Sequence, residues 1–109
     1  MSWKIKRRLR EQLEREHGYF SFPTGTRRSF ALVYPNSYFV GMSNLGLHII
    51  YDLLNRRGDT ACERVFLPDR TELPRYERTQ TPMMSVETQT PLADFAVIGF
   101  AVSFEMDYF

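Results

Sequence analysis

Apolar runs alternate with polar, turn-forming segments along the chain, and this order predicts an α/β fold. The run SFALVYP (residues 29–35) is short, β-rich and continuously apolar, which is typical of a strand buried on both faces. CERVFLP (62–68) predicts a second strand, and FAVIGFAVSF (95–104) predicts a long, central third strand. With a helix and a long connection between them, these strands predict a parallel sheet with right-handed crossovers.

Leucine and isoleucine recur with helical spacing between the first two predicted strands. The face that this spacing predicts to be buried consists of Leu45, Ile49, Ile50, Leu53 and Leu54, with Leu47 and Tyr51 beside it. Ser43 is the predicted N-terminal cap of this helix, and Gly58 ends it. In the polar connection 69–94 we expect a short helical turn near 72–76, a brief strand at MMSVET (83–88) and a single turn at TPLADF (90–95).

The chain divides into two parts of different character. Residues 1–28 form a charged helix and a linker, and residues 29–109 form a partial α/β domain. In the helix, Arg7 and Glu11, and likewise Arg10 and Glu14, are spaced to pair on a solvated face. Because the chain stops directly after its best strand, we expect either a truncated domain or one that is completed by a second chain.

Composition narrows the range of functions. With 109 residues, 43% hydrophobic and 15% aromatic, the chain is long enough for one packed core. A net charge of +1 gives no electrostatic argument for nucleic acid, and the basic first helix does not change this because no nucleic-acid motif accompanies it. The single cysteine, Cys62, favours the reducing cytoplasm. No apolar run approaches the length of a membrane span, so no membrane partner is predicted.

Two loops are predicted to follow strands at the same edge of the sheet, where ligands bind in open parallel α/β folds. They are PNSYFVGMSN (35–44) and SFEMDYF (103–109). A helix N-terminus with free N–H groups favours an anionic or polar ligand there. The candidate binding residues in these loops are Asn36, Gly41, Met42, Ser43, Asn44, Ser103 and Glu105. An alternative interpretation is purely structural: Ser43 caps the helix and Met42 fills a gap in the core.

Few residues qualify for catalysis or metal binding. The two histidines, His17 and His48, lie on or beside predicted helices, and Cys62 has no cysteine partner. Walker, GxGxxG and nucleophile-elbow motifs are missing from the sequence. We therefore predict no catalytic residue and no metal ligand in this chain.

A string of motifs resembles the N-terminal region of a family of radical SAM proteins, in which a cobalamin-binding-like domain precedes an iron–sulfur barrel. The string is YPNSYFVGMSNLGLHIIYDLLNRRGD (34–59), ERVFLPD (63–69) and SVETQTPLADFAVIGFAVSFEMDY (85–108). The family pattern is matched at Pro35, Tyr38, 41–46, Tyr51, Asn55, 63–66, Pro68, Glu87, Pro91, Leu92, Asp94, Phe95, 98–100, Ser103 and Glu105. The resemblance covers the chain from Ser29 to its end.

This resemblance implies a flavodoxin-like, doubly wound α/β domain that serves a radical SAM enzyme without being catalytic itself. It implies a barrel domain of the same full-length protein as the partner, with the 4Fe-4S cluster and S-adenosylmethionine (SAM) bound there, because this chain lacks CxxxCxxC. Cobalamin is the implied cofactor of this domain, although the DxHxxG motif that supplies the usual lower ligand is missing as well. The alternative is a protein-interaction domain that docks, or self-associates, through an open sheet edge and the basic N-terminal helix.

Overall fold

The computed structural model of the chain describes residues 3–16, 18–23 and 25–101. The sheet consists of strands β1 (Arg28–Tyr34), β2 (Thr60–Phe66) and β3 (Val97–Phe100). The helices are α1 (Trp3–Glu14), α2 (Tyr38–Met42), α3 (Leu45–Asn55) and α4 (Leu73–Arg78), and a single 3₁₀ turn spans Leu92–Asp94. Predicted strands, main helix and short helical turns therefore form at nearly the expected places. The predicted strand at MMSVET does not: this segment makes one isolated bridge, between Met84 and Pro91.

The three strands form an open, all-parallel sheet in the order β2-β1-β3. Phe30 of β1 pairs with Cys62 on one side and with Val97 on the other. This is the order in which a flavodoxin-like, doubly wound sheet begins. The α/β fold class and the flavodoxin-like character of the chain are thus as predicted.

Strand β1 is buried on both faces, as its continuous apolar run predicts. On one face, Leu32 and Tyr34 pack in a cluster with residues of α3 and β2. On the other face, Ala31 and Val33 pack with Val65 and Phe95. The core therefore lies in two layers, one on each side of the sheet.

Helix α3 buries a different face from the one that its spacing predicts. Leu47, Tyr51 and Asn55 face the sheet, whereas Leu45, Ile49 and Leu53 are 73%, 50% and 62% exposed. The prediction was wrong because the helix is apolar on two opposite sides, so periodicity alone does not select one of them. The tertiary structure selects the side that carries Asn55. Its side-chain amide donates to the carbonyl of Cys62 (3.1 Å) and accepts from the Cys62 N–H (2.8 Å), which joins α3 to β2.

Helix α1 lies on the body of the protein, with Ile5 and Leu13 buried. The expected pairs within this helix do not form. Instead, Arg8 pairs with Glu72 near α4 (2.9 Å), and Arg10 lies over the ring of Trp3. The Arg8–Glu72 pair thus joins α1 to the residue that precedes α4, whereas the Arg10–Trp3 contact lies within α1.

The two edges of the sheet differ. At the β2 edge, the Val86 N–H donates to the carbonyl of Arg64 (2.9 Å), so a turn of the 84–91 segment covers the strand. At the other edge, β3 has no further strand beside it among the described residues, although its sequence predicts a central strand. Val97, Ile98 and Phe100 of β3 are 36%, 43% and 65% exposed.

None of the helices formed by the described residues has the length and apolarity that crossing a membrane requires.

Candidate functional site

The segment between β1 and α3 lies at the carboxyl end of the sheet, where the sequence predicts a ligand-binding loop. Half of this segment is helix α2, whose first turn is capped by the Ser37 hydroxyl, which accepts from the Val40 N–H (3.4 Å). Gly41 is buried within α2, and a Cβ atom built at this residue would overlap the ring of Phe66. The missing side chain of Gly41 therefore serves the packing of α2 against β2, and not the approach of a ligand.

The cap of α3 is Asn44 and not Ser43. The Asn44 Oδ1 accepts from the Leu47 N–H (2.9 Å), and the Asn44 side-chain N–H donates to the Tyr34 hydroxyl (3.4 Å). Ser43 is the C-cap of α2, and its hydroxyl donates to the Phe39 carbonyl (3.1 Å). Both candidate side chains thus hold the α2–α3 corner together.

The two further candidates, Asn36 and Met42, also make contacts within the chain. The Asn36 Oδ1 accepts from the Ser37 N–H (2.7 Å). Met42 is half-buried and places its Sδ atom 3.4 Å from Nη1 of Arg64, while its carbonyl lies 2.7 Å from Nε2 of His48. The structure thus gathers Asn36, Gly41, Met42, Ser43 and Asn44 in one corner of the domain. The candidates Ser103 and Glu105 lie outside the described residues.

The most unusual polar group of the core is Arg64, near the middle of β2, which is 1% exposed. Its Nε atom lies 2.6 Å from Oε2 of Glu87, and its Nη1 atom lies 2.8 Å from Oε1 of Glu16. The Arg64 N–H also donates to Oε1 of Glu87 (2.9 Å). One buried cation therefore compensates two carboxylates, one from the chain that follows α1 and one from the turn beside β2.

Two tyrosines complete this buried cluster. The Tyr38 hydroxyl donates to Oε2 of Glu16 (2.6 Å), and the guanidinium of Arg64 lies 4.5 Å from the ring centroid of Tyr51. The Tyr51 hydroxyl accepts from the Phe20 N–H (2.8 Å), which ties down the segment between α1 and β1. The cluster thus connects five separate stretches of the chain: the segment between α1 and β1, helix α2, helix α3, strand β2 and the turn that holds Glu87.

A cavity of about 290 Å³ lies between α3 and the segment that joins α1 to β1. Its lining includes Arg64, Glu16, Met42, His48 and Tyr51. The Nη2 atom of Arg64 is buried and has no hydrogen-bond partner among the described residues. A buried donor without an acceptor is costly, so this atom is the polar group of the cluster best suited to hold a water molecule or a ligand oxygen.

Burial and the neighbouring charges together set the pKa values of the groups in this cluster. Burial raises the pKa of the Glu87 carboxyl, and the facing guanidinium of Arg64 opposes this shift. Burial disfavours the charge on Arg64, but the carboxylates of Glu87 and Glu16 together raise the pKa of the guanidinium. Burial and the Glu16 carboxylate raise the pKa of Tyr38 as well. Arg64 therefore stays charged, and Tyr38 remains a hydrogen-bond donor at neutral pH.

The described residues offer no group of histidine, cysteine and carboxylate side chains that could hold a metal ion. Cys62 is buried, and burial raises the pKa of its thiol to about 12, so it is not a thiolate at neutral pH. His48 is held by the Met42 carbonyl, and His17 lies outside the described residues.

Sequence reasoning missed the Arg64 cluster. Arg64 and Glu87 both belong to the motifs that carry the family resemblance. The signal that could have revealed the pair is a charged residue in the middle of CERVFLP, a run that otherwise predicts a buried strand. A buried arginine requires an acidic partner.

Comparison with known proteins gives the family. A sequence model described as "Radical SAM proteins, N-terminal" matches residues 46–109, which is more than half of the chain. The chain belongs to this family. The matched region begins within α3 and includes β2, the Glu87 turn and β3, so it contains the Arg64–Glu87 pair. No curated protein and no solved structure matches the chain significantly.

Proposed function

We propose that the chain is the N-terminal accessory domain of a radical SAM enzyme, where it contributes to substrate or cofactor binding and is not catalytic itself. The family match supports this role. The radical SAM barrel of the same full-length protein is the proposed partner, and the 4Fe-4S cluster and SAM belong to that barrel. The single cysteine supports a cytoplasmic location for the enzyme.

The observation that carries the proposal is the apolar outer side of α3. Leu45, Ile49 and Leu53 form a stripe that points away from the sheet and is at least half exposed along its length. A helix that is apolar on two opposite sides is typical of one buried between two layers of protein. We define Leu45, Ile49 and Leu53 as the outer stripe and propose that the barrel domain docks on it.

The decisive experiment uses the natural-length gene product. In it, the triple variant Leu45→Gln, Ile49→Gln and Leu53→Gln is compared with the unchanged protein. We expect limited proteolysis to cut between the two domains faster, and reductive cleavage of SAM to 5′-deoxyadenosine to fall. The reason is that three polar side chains would be buried at the domain interface without partners.

The matched control replaces three exposed residues of α1, as Arg7→Gln, Glu11→Gln and Glu14→Gln, and should change neither readout. Two results would contradict the proposal. One is a natural-length product that contains no CxxxCxxC motif. The other is an outer-stripe variant that keeps both normal protease resistance and normal SAM cleavage.

Cobalamin is the finer part of the proposal, on the strength of the sequence resemblance. The described residues at the carboxyl end of the sheet do not form a ready cradle for it. Gly41 packs on Phe66, the side chains of Ser43 and Asn44 bond to backbone groups, and His48 is engaged by the Met42 carbonyl. A visible-absorbance titration with hydroxocobalamin tests this point. Saturable binding would support a cofactor site, and no binding by the folded chain would leave this corner to substrate binding or to packing.

The alternative function is protein interaction independent of a barrel. The observation that favours it is the β3 edge, where Val97, Ile98 and Phe100 are exposed on a strand that pairs with β1 on one side and with no described residue on the other. Sedimentation equilibrium of the chain discriminates the two functions. A concentration-dependent dimer that Phe100→Lys disrupts would support this alternative, whereas a monomer at every concentration would argue against self-association.

A further inference from the structure

A second cavity, of about 810 Å³, lies at the opposite end of the sheet from the α2–α3 corner. The first residue of each strand, Arg28, Thr60 and Val97, contributes to its lining. The loop before β1 and the turn after α3 form the other walls. The polar part of the lining comprises Thr26, Arg27, Arg28, Arg57, Asp59 and Thr60.

The charge in this cavity is strongly positive although the chain as a whole carries only +1. Three guanidinium groups line it against one carboxylate, Asp59. That carboxylate pairs with Arg57 through two contacts of 3.1 and 3.3 Å. Arg28 is exposed and makes no ion pair with any described residue. The excess charge is therefore uncompensated within the part of the chain that the structure describes.

Arg27 is held in place by neutral groups. Its Nη1 atom donates to the carbonyls of Asn55 (2.9 Å) and Thr60 (3.2 Å), and its guanidinium lies 3.6 Å from the ring centroid of Phe22. These contacts fix the orientation of the side chain but leave its charge unneutralised. A cation oriented before the ligand arrives loses less conformational entropy on binding.

Two glycines line the cavity in turns. Gly25 and Gly58 have φ angles of +84° and +90°, and nothing lies within 4 Å of a Cβ atom built on either of them. Both turns thus approach the cavity with bare backbone. This combination of bare loops and three guanidinium groups, one of which is held by neutral groups, is suited to an anion with several oxygen atoms.

We propose that this cavity binds a small molecule that carries two or more linked phosphate groups. Guanidinium groups match phosphate oxygens with paired hydrogen bonds, and the two positive charges that remain after Asp59 is counted exceed what a single carboxylate ligand would neutralise. The cavity also has the volume of a small-molecule site. The site is separate from the outer stripe of α3 and from the α2–α3 corner.

Isothermal titration of the chain with pyrophosphate, and with orthophosphate for comparison, tests the proposal. We expect saturable binding that is tighter for pyrophosphate and weaker at high salt. Arg28→Gln and Arg57→Gln should each raise the Kd for pyrophosphate by about tenfold or more, because each removes a charged donor from the site. Thermal unfolding of each variant confirms that it remains folded.

Arg56→Gln is the matched control. Arg56 is adjacent to Arg57 and also pairs with a nearby aspartate, Asp52, but it does not line the cavity. This variant should change the Kd by less than about twofold, since only screened, long-range attraction is lost. Equal weakening in all three variants, or no saturable binding, would overturn the site. A single-stranded RNA that displaces pyrophosphate, and whose binding Arg28→Gln and Arg57→Gln weaken more than they weaken pyrophosphate binding, would overturn the small-ligand assignment.

Discussion

Replacing Arg64 by methionine is expected to lower the free energy of unfolding by about 3–5 kcal/mol at pH 7. The substitution leaves the carboxylates of Glu87 and Glu16 in the core without the cation that contacts each of them at 2.6 and 2.8 Å. Methionine is long and apolar, so a new cavity contributes little to the loss. Urea unfolding followed by far-UV circular dichroism measures the change.

The pH dependence of this loss identifies its cause. Burial already raises the pKa of Glu87 in the folded protein, and removing Arg64 raises the pKa further. A group whose pKa is higher in the folded than in the unfolded state binds its proton more tightly when folded. The stability of the Arg64→Met variant therefore falls as pH rises from the pKa of Glu87 in the unfolded state through its higher pKa in the folded state, and it returns as pH is lowered. The Arg64→Met variant should recover part of the lost stability between pH 7 and pH 5.

A neutral version of the cluster is the control for this prediction. The triple variant Arg64→Met, Glu16→Gln and Glu87→Gln has no buried charge at these positions, and we expect it to regain most of the stability. If Arg64→Met is as stable as the unchanged chain at pH 7, the two carboxylates do not depend on this cation, and the charged cluster described above is incorrect.

Leu47→Ala is expected to cost about 2–5 kcal/mol of unfolding free energy, whereas Leu53→Ala should stay within about 0.5 kcal/mol. Both residues are leucines of α3, so helix propensity and side-chain chemistry are matched. They differ in position: Leu47 is 1% exposed against the sheet, and Leu53 is 62% exposed on the outer stripe. Denaturant unfolding of the two variants measures the difference.

The opposite order would contradict the orientation of α3. If Leu53→Ala were the more destabilising change, the helix would bury the face that its spacing predicts, and the outer stripe would not be available for docking. In the natural-length protein the two variants test different interfaces, because Leu53 belongs to the proposed domain interface and Leu47 to the core. If the proposed barrel docks on the outer stripe, loss of SAM cleavage without loss of stability of this domain is expected only for the Leu53 variant.

The position of the candidate residues in the fold could be predicted from the sequence, but the contacts of their side chains could not. Asn36, Gly41 and Asn44 do lie together at the carboxyl end of the sheet, because chain order and parallel strands bring them there. What their side chains do depends on neighbours distant in sequence. Gly41 in α2 and Phe66 at the end of β2 are separated in the sequence by α3 and most of β2. Their packing explains the glycine without a ligand.

The sequence by itself determined the order of elements, the parallel sheet and the family. Continuous apolar runs predict buried strands, and breakers between them set the lengths of the connections, all of which are local properties. Only the tertiary structure decided which side of α3 is buried, because both sides are apolar and the choice depends on how Asn55 meets β2. The tertiary structure also decided the partners of Arg64, because a buried charge pairs with whichever carboxylates the fold brings within reach. Here these are Glu16, which precedes Arg64 in the sequence, and Glu87, which follows it.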